Sequence, residues 1–499
     1  MSGIELIKRA GEFGQRTAVE DRTGNFTYAD LLRVSRFAAL NLLGDEKDLE
    51  EKRVAFLVPP GFDYVALKLG VWMAGGVSVP LGTVHSPREI NYVIEDSCAE
   101  TVVFHPDLAQ KLEGVLSDID VRFQKLPEVF QPARGELPGI SEERRAMIIY
   151  TSGTTSKPKG VVSTHLGIKA QINSMTEAWE WTPEDSILNA LPLHHLHGIL
   201  NVVLCCLWSG ARCVMMDGFN AQRVWKRFEK KDLTLFMAVP TIYSKLIDLW
   251  DDFSVAERRR MRNCLSGFRL MVSGSAALPV SVLEKWKEIS GQVLLERYGM
   301  TEIGMALSNP YRGERLPGCV GFAMPGVEVG IFDENDRLVG VEGQGEIRVR
   351  GEGVFLEYWR KPRETESAFC DGWFKTGDIA FLERGGSYRI LGRESVDIIK
   401  SGGYKISALE IEEVLMEHPL IRECAVVGVA DPSWGERIGA ALVLSEGASI
   451  DLEELRGWAS DKLAWYKLPT RLLLLSSLPR NSMGKVIKNR IKRSFQNSL

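Results

Sequence analysis

Three observations predict an α/β protein with a large N-terminal layered domain and a small α+β domain at its C-terminal end. Short apolar runs alternate with amphipathic segments along most of the chain, as stacked sheet and helix layers require. That rhythm gives way after Leu391 to a helix followed by paired strands. At 499 residues the chain is also too long for a single core. In order, 53–58 (Arg-Val-Ala-Phe-Leu-Val) reads as a buried strand and 63–73 as a helix. The stretch 131–145 is polar, with Pro, Gly and charges, and reads as a connector. A strand is expected at 146–150, and a helix after 161–164. Further strands are expected at 211–216, 233–238 and 268–272, with helices between and largely parallel sheets.

Beyond Leu391, Ser407-Ala-Leu-Glu410 reads as a capping box opening a helix with Ile411, Val414 and Leu415 on its apolar face. Pro419 stops that helix. Strands at 424–429 and 440–444, a helix at 452–463 and a strand at 471–475 complete the unit. The divisions are therefore 1–391, a connector at 392–396, and 397–499.

Composition excludes several classes. A net charge of −5 gives no electrostatic case for nucleic acid. The apolar run 199–208 is too short to span a bilayer. The first residues lack a signal core and a transit-peptide character, and the last tripeptide is a poor peroxisomal match. Eight cysteines include no Cys-x-x-Cys pair, so neither a disulfide framework nor structural zinc is expected, and a cytoplasmic location is.

The most informative motif is Tyr150-Thr-Ser-Gly-Thr-Thr-Ser-Lys-Pro-Lys-Gly160. Glycine admits close approach of an anion, hydroxyls and N–H groups supply donors, and lysine adds charge. The combination suits a polyphosphate, without the spacing of a Walker loop. Tyr298-Gly299-Met300-Thr301-Glu302 offers an aromatic face for adenine, a hydroxyl for phosphate and a carboxylate for Mg²⁺. Asp378, after Thr-Gly, suits ribose hydroxyls, although Thr-Gly-Asp alone is a common turn. Lys485, ending Pro479-Arg-Asn-Ser-Met-Gly-Lys485, is on counts alone a surface lysine. Three of seven histidines fall in Leu191-Pro-Leu-His-His-Leu-His-Gly198, without an adjoining acidic or thiol ligand for a metal. If that segment is extended, His195 and His197 point the same way.

The loop at 150–160 resembles the phosphate-binding motif of the adenylate-forming superfamily of acyl-CoA synthetases, peptide-synthetase adenylation domains and luciferases, with Ser156 where the family usually has glycine. The resemblance covers nearly the whole chain and implies a large domain, a hinge and a small lid. It implies ATP contacts from Thr151, Ser152, Gly153, Thr154, Thr155, Lys159, Ser275, Ala276, Tyr298, Gly299, Met300 and Thr301. Glu302 is implied for Mg²⁺, Asp378 for ribose, and Arg393 for ribose or phosphate. Lys485 is implied to bridge carboxylate and α-phosphate during adenylation, where two anions meet. Ser401, Gly402, Gly403 and Tyr404 are implied to line the pantetheine path of coenzyme A. The hinge, Gly392-Arg-Glu-Ser-Val-Asp-Ile-Ile-Lys400, runs one residue longer than the common pattern, so Glu394, Ser395 and Val396 all stand as candidate pivots.

The implied acyl pocket holds Ser273, His195, His197 and Arg297. A guanidinium in that wall needs an anion, which a second substrate carboxylate supplies. The His-x-His-Gly and Glu-Arg-Tyr-Gly-Met-Thr-Glu motifs resemble the malonyl-CoA synthetase branch. The expected activity is ATP-dependent ligation of malonate or methylmalonate to coenzyme A, with small-molecule partners only. Three alternatives stay open: a short-monocarboxylate ligase in which Arg297 pairs with a protein acid such as Glu296, a luciferase-type monooxygenase, and a carrier-protein ligase.

Overall fold

The computed structural model describes residues 3–113, 121–151, 157–402, 404–480 and 485–497. Two sheets form the frame of the larger part, and each is parallel at its centre. The first runs, in spatial order, Phe322–Ala323, Gly304–Ser308, Leu295–Met300, Leu270–Ser273, Leu235–Ala238, Ser186–Asn189, Arg212–Met215, Thr17–Asp21 and Gly24–Thr27. Its central strands are buried at every residue, which explains their continuous apolar sequence. The second sheet runs Glu357–Tyr358, Lys159–Thr164, Arg145–Thr151, Val77–Pro80, Arg53–Leu57, Thr101–Phe104 and Arg122–Lys125. Helices Tyr28–Leu43 and Phe62–Met73 pack in the largest core, the first opened by a complete Thr27–Asp30 capping box.

A third sheet, built from Glu328–Phe332, Gln344–Arg350, Trp373–Leu382 and Tyr388–Arg393 with short flanking strands, is antiparallel throughout. The largely parallel expectation therefore holds for the first two sheets only. The fourth sheet begins at Ile398–Ser401 and carries Tyr404–Ser407, Ile421–Asp431, Gly435–Leu444 and Arg471–Leu474. It has its own core around Ile411, Leu415, Val426 and Leu442.

Three local expectations need correction. Ser407 caps its helix by accepting from the Glu410 N–H at 3.2 Å, but Glu410 does not return the bond. Its carboxylate instead pairs with Lys467 at 2.5 Å, a partner the local sequence could not reveal. The helix expected over 452–463 ends at Ala459. The segment holding His195 and His197 is not extended: it turns into a π-helix over His197–Leu204, continued by Cys205–Ser209.

Candidate functional site

The phosphate-type loop joins two antiparallel strands, with Thr151 paired to Lys159. The following helix, His165–Ala178, starts only after the second strand, Lys159–Thr164. Ser152, Gly153, Thr154, Thr155 and Ser156 lie outside the described residues, as does Gly403. Strand Lys159–Thr164 next pairs with Glu357–Tyr358, which brings the Tyr358 ring under Lys159, 4.1 Å from ammonium to centroid. The Tyr358 hydroxyl donates to Glu302 Oε1 at 3.0 Å. Glu302 is buried, and burial pushes its carboxyl up, opposed by that hydroxyl bond and by the charges of Arg393 and Lys159.

Tyr298, Gly299 and Met300 belong to strand Leu295–Met300, and Thr301 and Glu302 form the turn into Gly304–Ser308. The Tyr298 hydroxyl donates to Asp378 Oδ2 at 2.6 Å. Arg393 donates to Asp378 Oδ1 at 2.9 Å, completing a corner in which the buried carboxylate holds two partners. Asp378 and Arg393 are opposite each other in paired strands, so the sheet register sets this contact.

Arg297, on the same strand as Tyr298, is 3% exposed and has no carboxylate partner among the described residues. Its Nη2 donates weakly to Ser275 Oγ at 3.4 Å, and its Nε has no hydrogen-bond partner among the described residues. Burial pushes the guanidinium well below its ordinary value. Ser275 Oγ lies 3.2 Å from His197 Nδ1, which joins Ser275 to the Arg297–His197 cluster. Gly274 is required here: a Cβ would stand 2.6 Å from Arg297 Cζ. Ser273 Oγ, His195 Nε2 and His197 Nε2 are likewise buried without a partner. His197 is kept neutral by burial and then by Arg297. Ala276 is exposed beside this turn.

Glu296 does not pair with Arg297. Successive strand residues face opposite ways, and Glu296 accepts from the Leu278 N–H at 3.1 Å on the other face. His195 packs on His194, 4.1 Å between centroids, and His194 on His85 at 4.7 Å. His85 was not foreseen: it comes from a loop with no motif. Burial, then His85 and Lys485, push His195 down to about 4.

Lys485 stands within electrostatic reach of both clusters. Burial, then the charges of Arg393 and Arg297, lower its ammonium, with Asp378 opposing. Protein surrounds the side chain, yet water still reaches it, as expected of a residue in an open cleft. On the C-terminal unit, Ser401 and Tyr404 close a hairpin, Gly402 donates to the Trp434 carbonyl at 3.0 Å, and Tyr404 stacks on Tyr466 at 4.3 Å. Among the described residues no group of three or more His, Cys, Asp or Glu is arranged around a metal position. That does not bear on Mg²⁺ at a nucleotide, which takes one or two carboxylates and otherwise phosphate and water oxygens; a single Glu302 fits that donor set.

The pairing of a nucleotide-type corner with an anion-seeking pocket, reached by one lysine from the C-terminal unit, defines an enzyme that activates a carboxylate with a nucleotide. Comparison with known proteins agrees. The AMP-binding enzyme family matches residues 6–359, and the AMP-binding enzyme C-terminal domain matches 410–485. The chain belongs to the AMP-binding enzyme family, as an AMP-forming acid–thiol ligase of the malonyl-CoA synthetase branch. The mitochondrial malonate–CoA ligase ACSF3 of Bos taurus is 47% identical over 98% of this chain and 89% of its own length. The crystal structure of ATP-bound MatB from Rhodopseudomonas palustris is 30% identical, covers 100% of both chains and superposes with a TM-score of 0.91. Apo MatB, also 30% identical over 100% of both chains, gives 0.81. No helix among the described residues is long and apolar enough to cross a membrane.

Proposed function

We propose that the chain forms malonyl-CoA from malonate, ATP and coenzyme A through malonyl-AMP, with methylmalonate as a second candidate acid. The single observation that carries the dicarboxylate reading is Arg297: buried, unable to shed its charge at neutral pH, and without a carboxylate partner among the described residues. The distal carboxylate of malonate supplies the missing anion. The monocarboxylate alternative needs a protein acid such as Glu296 beside Arg297, and Glu296 faces away.

In this reading the proximal carboxylate oxygen attacks the α-phosphorus and the bond to pyrophosphate breaks. Lys485 lies between the two anions and offsets their repulsion. Lys159, Thr301 and the loop 151–155 hold the phosphates. Asp378 and Arg393 hold the ribose, and Tyr298 with the turn at 275–276 holds adenine. Glu302 holds Mg²⁺, which supplies charge neutralisation when bound. The fold superposes more closely on ATP-bound than on apo MatB, which supports an arrangement compatible with a bound nucleotide. The C-terminal unit, 397–499, then swings about a hinge at 392–396. The loop 401–404 guides the thiol to the acyl carbon, and AMP leaves. For compartment, the expected cytoplasmic placement stands against the word mitochondrial in the vertebrate relatives' names; fractionation of cells decides it.

The functional test is AMP release with malonate, methylmalonate, succinate, acetate and butyrate, each with and without coenzyme A. Malonate or methylmalonate should lead, with thioester formed only when coenzyme A is present. Preference for butyrate would overturn the dicarboxylate reading, and AMP release that ignores coenzyme A would overturn the thiol step.

A further inference from the structure

Lys488 opens the C-terminal helix Lys488–Asn497, three residues after Lys485. A cation in the first helical turn opposes the helix dipole, so helix stability does not explain it. The side chain is 9% exposed, and its ammonium contacts two carboxylates, Asp397 Oδ1 at 2.6 Å and Glu412 Oε1 at 2.7 Å. Burial works against the ammonium, but Glu412 and Asp397 outweigh it and hold it above the usual lysine range.

Asp397 is the link that matters. Its other oxygen accepts the Arg393 N–H at 3.1 Å, and its own N–H donates to the Arg393 carbonyl at 2.7 Å. These bonds span residues 394–396, the candidate hinge. Gly392 permits the approach: its φ is +126°, and a Cβ there would stand 2.4 Å from Asp397 Cβ. Arg393 in turn grips Asp378 in the ribose-type corner. On the other side of Lys488, Ile487 donates to the Pro479 carbonyl at 2.8 Å, and Val486 bridges Arg480. The segment leaving Lys485 is therefore tied at both edges. A continuous path of bonds runs from the helix start, through Asp397 and Arg393, to the nucleotide corner.

We propose that Lys488 is a positioning residue for adenylation: by anchoring the start of the C-terminal helix to Asp397, the residue that closes the hinge onto Arg393, it sets where the adjoining segment delivers Lys485. The proposal rests on the two-step ligase reading. A loosened anchor displaces Lys485 from the two anions it must bridge, and a displacement near 1 Å costs up to about a hundredfold in rate. Thioester formation does not use Lys485, so it escapes that loss, provided the unit stays folded.

The test uses the full chain with Lys488→Gln, Lys488→Arg and Asp397→Asn. Malonate-dependent ATP–pyrophosphate exchange reads adenylation; conversion of preformed malonyl-AMP and coenzyme A to malonyl-CoA reads the second half. Lys488→Gln should cut the exchange kcat about tenfold or more, with KM for ATP and malonate nearly unchanged, as expected for loss of a transition-state contact. Thioester formation should stay within about twofold, and Lys488→Arg should restore most of the exchange. Asp397→Asn should shift the same ratio in the same direction, and it carries the test if Lys488→Gln shows no cooperative unfolding. Equal loss in both half-reactions, or unchanged exchange, overturns the positioning role. Absence of malonate-dependent exchange in the unmodified protein would instead bring down the ligase reading, and this inference with it.

Discussion

Two clusters within electrostatic reach of Lys485 differ in how completely they are paired. At the ribose-type corner, Asp378 holds Tyr298 at 2.6 Å and Arg393 at 2.9 Å before any ligand arrives. At the Arg297 cluster, Arg297 Nε, Ser273 Oγ and His197 Nε2 are buried without partners among the described residues, and the guanidinium has no carboxylate there. Buried polar groups are normally satisfied, so the second arrangement is costly unless something else completes it. The corner is ready for a neutral, hydroxyl-rich ligand that trades one hydrogen bond for another. The pocket demands an anion. In the proposed reading, selectivity for the acid is written as a deficit, and nucleotide binding as a surplus.

The largest effect should come from removing the residue that both regions feel. Lys485→Ala should lower adenylation by about 10² to 10³, the loss seen when one preorganised electrostatic stabiliser is deleted. Thioester formation from preformed malonyl-AMP should persist. Separate assays of the halves check this, and equal loss would remove Lys485 from the first step.

Arg297→Ala attacks the deficit directly. A charged hydrogen bond contributes on the order of 1.5–3 kcal/mol, or about ten- to a hundredfold in kcat/KM for malonate. Butyrate turnover should survive or rise, since it needs no cation. If both acids fall in parallel, Arg297 is structural and the contrast between the regions dissolves.

Asp378→Asn probes the surplus. The amide still accepts from Tyr298 but no longer balances Arg393, so KM for ATP should rise about tenfold. The malonate-to-butyrate preference should not move. A changed preference would mean that the two regions are energetically one.

Much of this was legible from the residues. The strands at 235–238 and 270–273 are buried throughout, and that at 53–57 is buried at all but Arg53, so apolar runs announced them. Tyr298, Glu302, Asp378, Arg393 and Lys485 stood in motifs, and the fold gathers them. What failed depends on tertiary pairing. No periodicity says that 145–151 and 159–164 pair antiparallel with each other rather than each pairing elsewhere. Tyr358 entered the site only through the pairing of 357–358 with 161–162, and nothing in its neighbours marks it. The alternation expected for His195 and His197 lost to a π-helix, a geometry common at functional sites and without a sequence period of its own.

The smallest effect on the reaction, none, is expected at a second buried cation that separates deficit from mere burial. Lys68 is fully buried beneath Trp72, with Nζ 3.1 Å from Ser78 Oγ and 4.5 Å from the Trp72 ring, and no carboxylate partner among the described residues. Unlike an arginine, a lysine escapes such a site by losing its proton. Burial lowers Lys68 from 10.5 to about 7, and the neighbouring His165 is pushed to about 3, so it stays neutral above mildly acidic pH. The sign follows from proton counts. Between about pH 7 and 10.5 the unfolded chain holds a proton on this lysine that the folded chain lacks, so stability rises with pH across that window. At and below pH 7 the penalty is fully present. Lys68→Met keeps the volume and removes the ammonium, so it should stabilise the fold by a few kcal/mol at pH 7, with the gain shrinking toward pH 10. Denaturant midpoints at pH 7 and 10 measure this, alongside malonate turnover, which should be unchanged. A gain that is equal at both pH values would mean that Lys68 is not neutralised by its surroundings. A loss of turnover would place it in the chemistry after all.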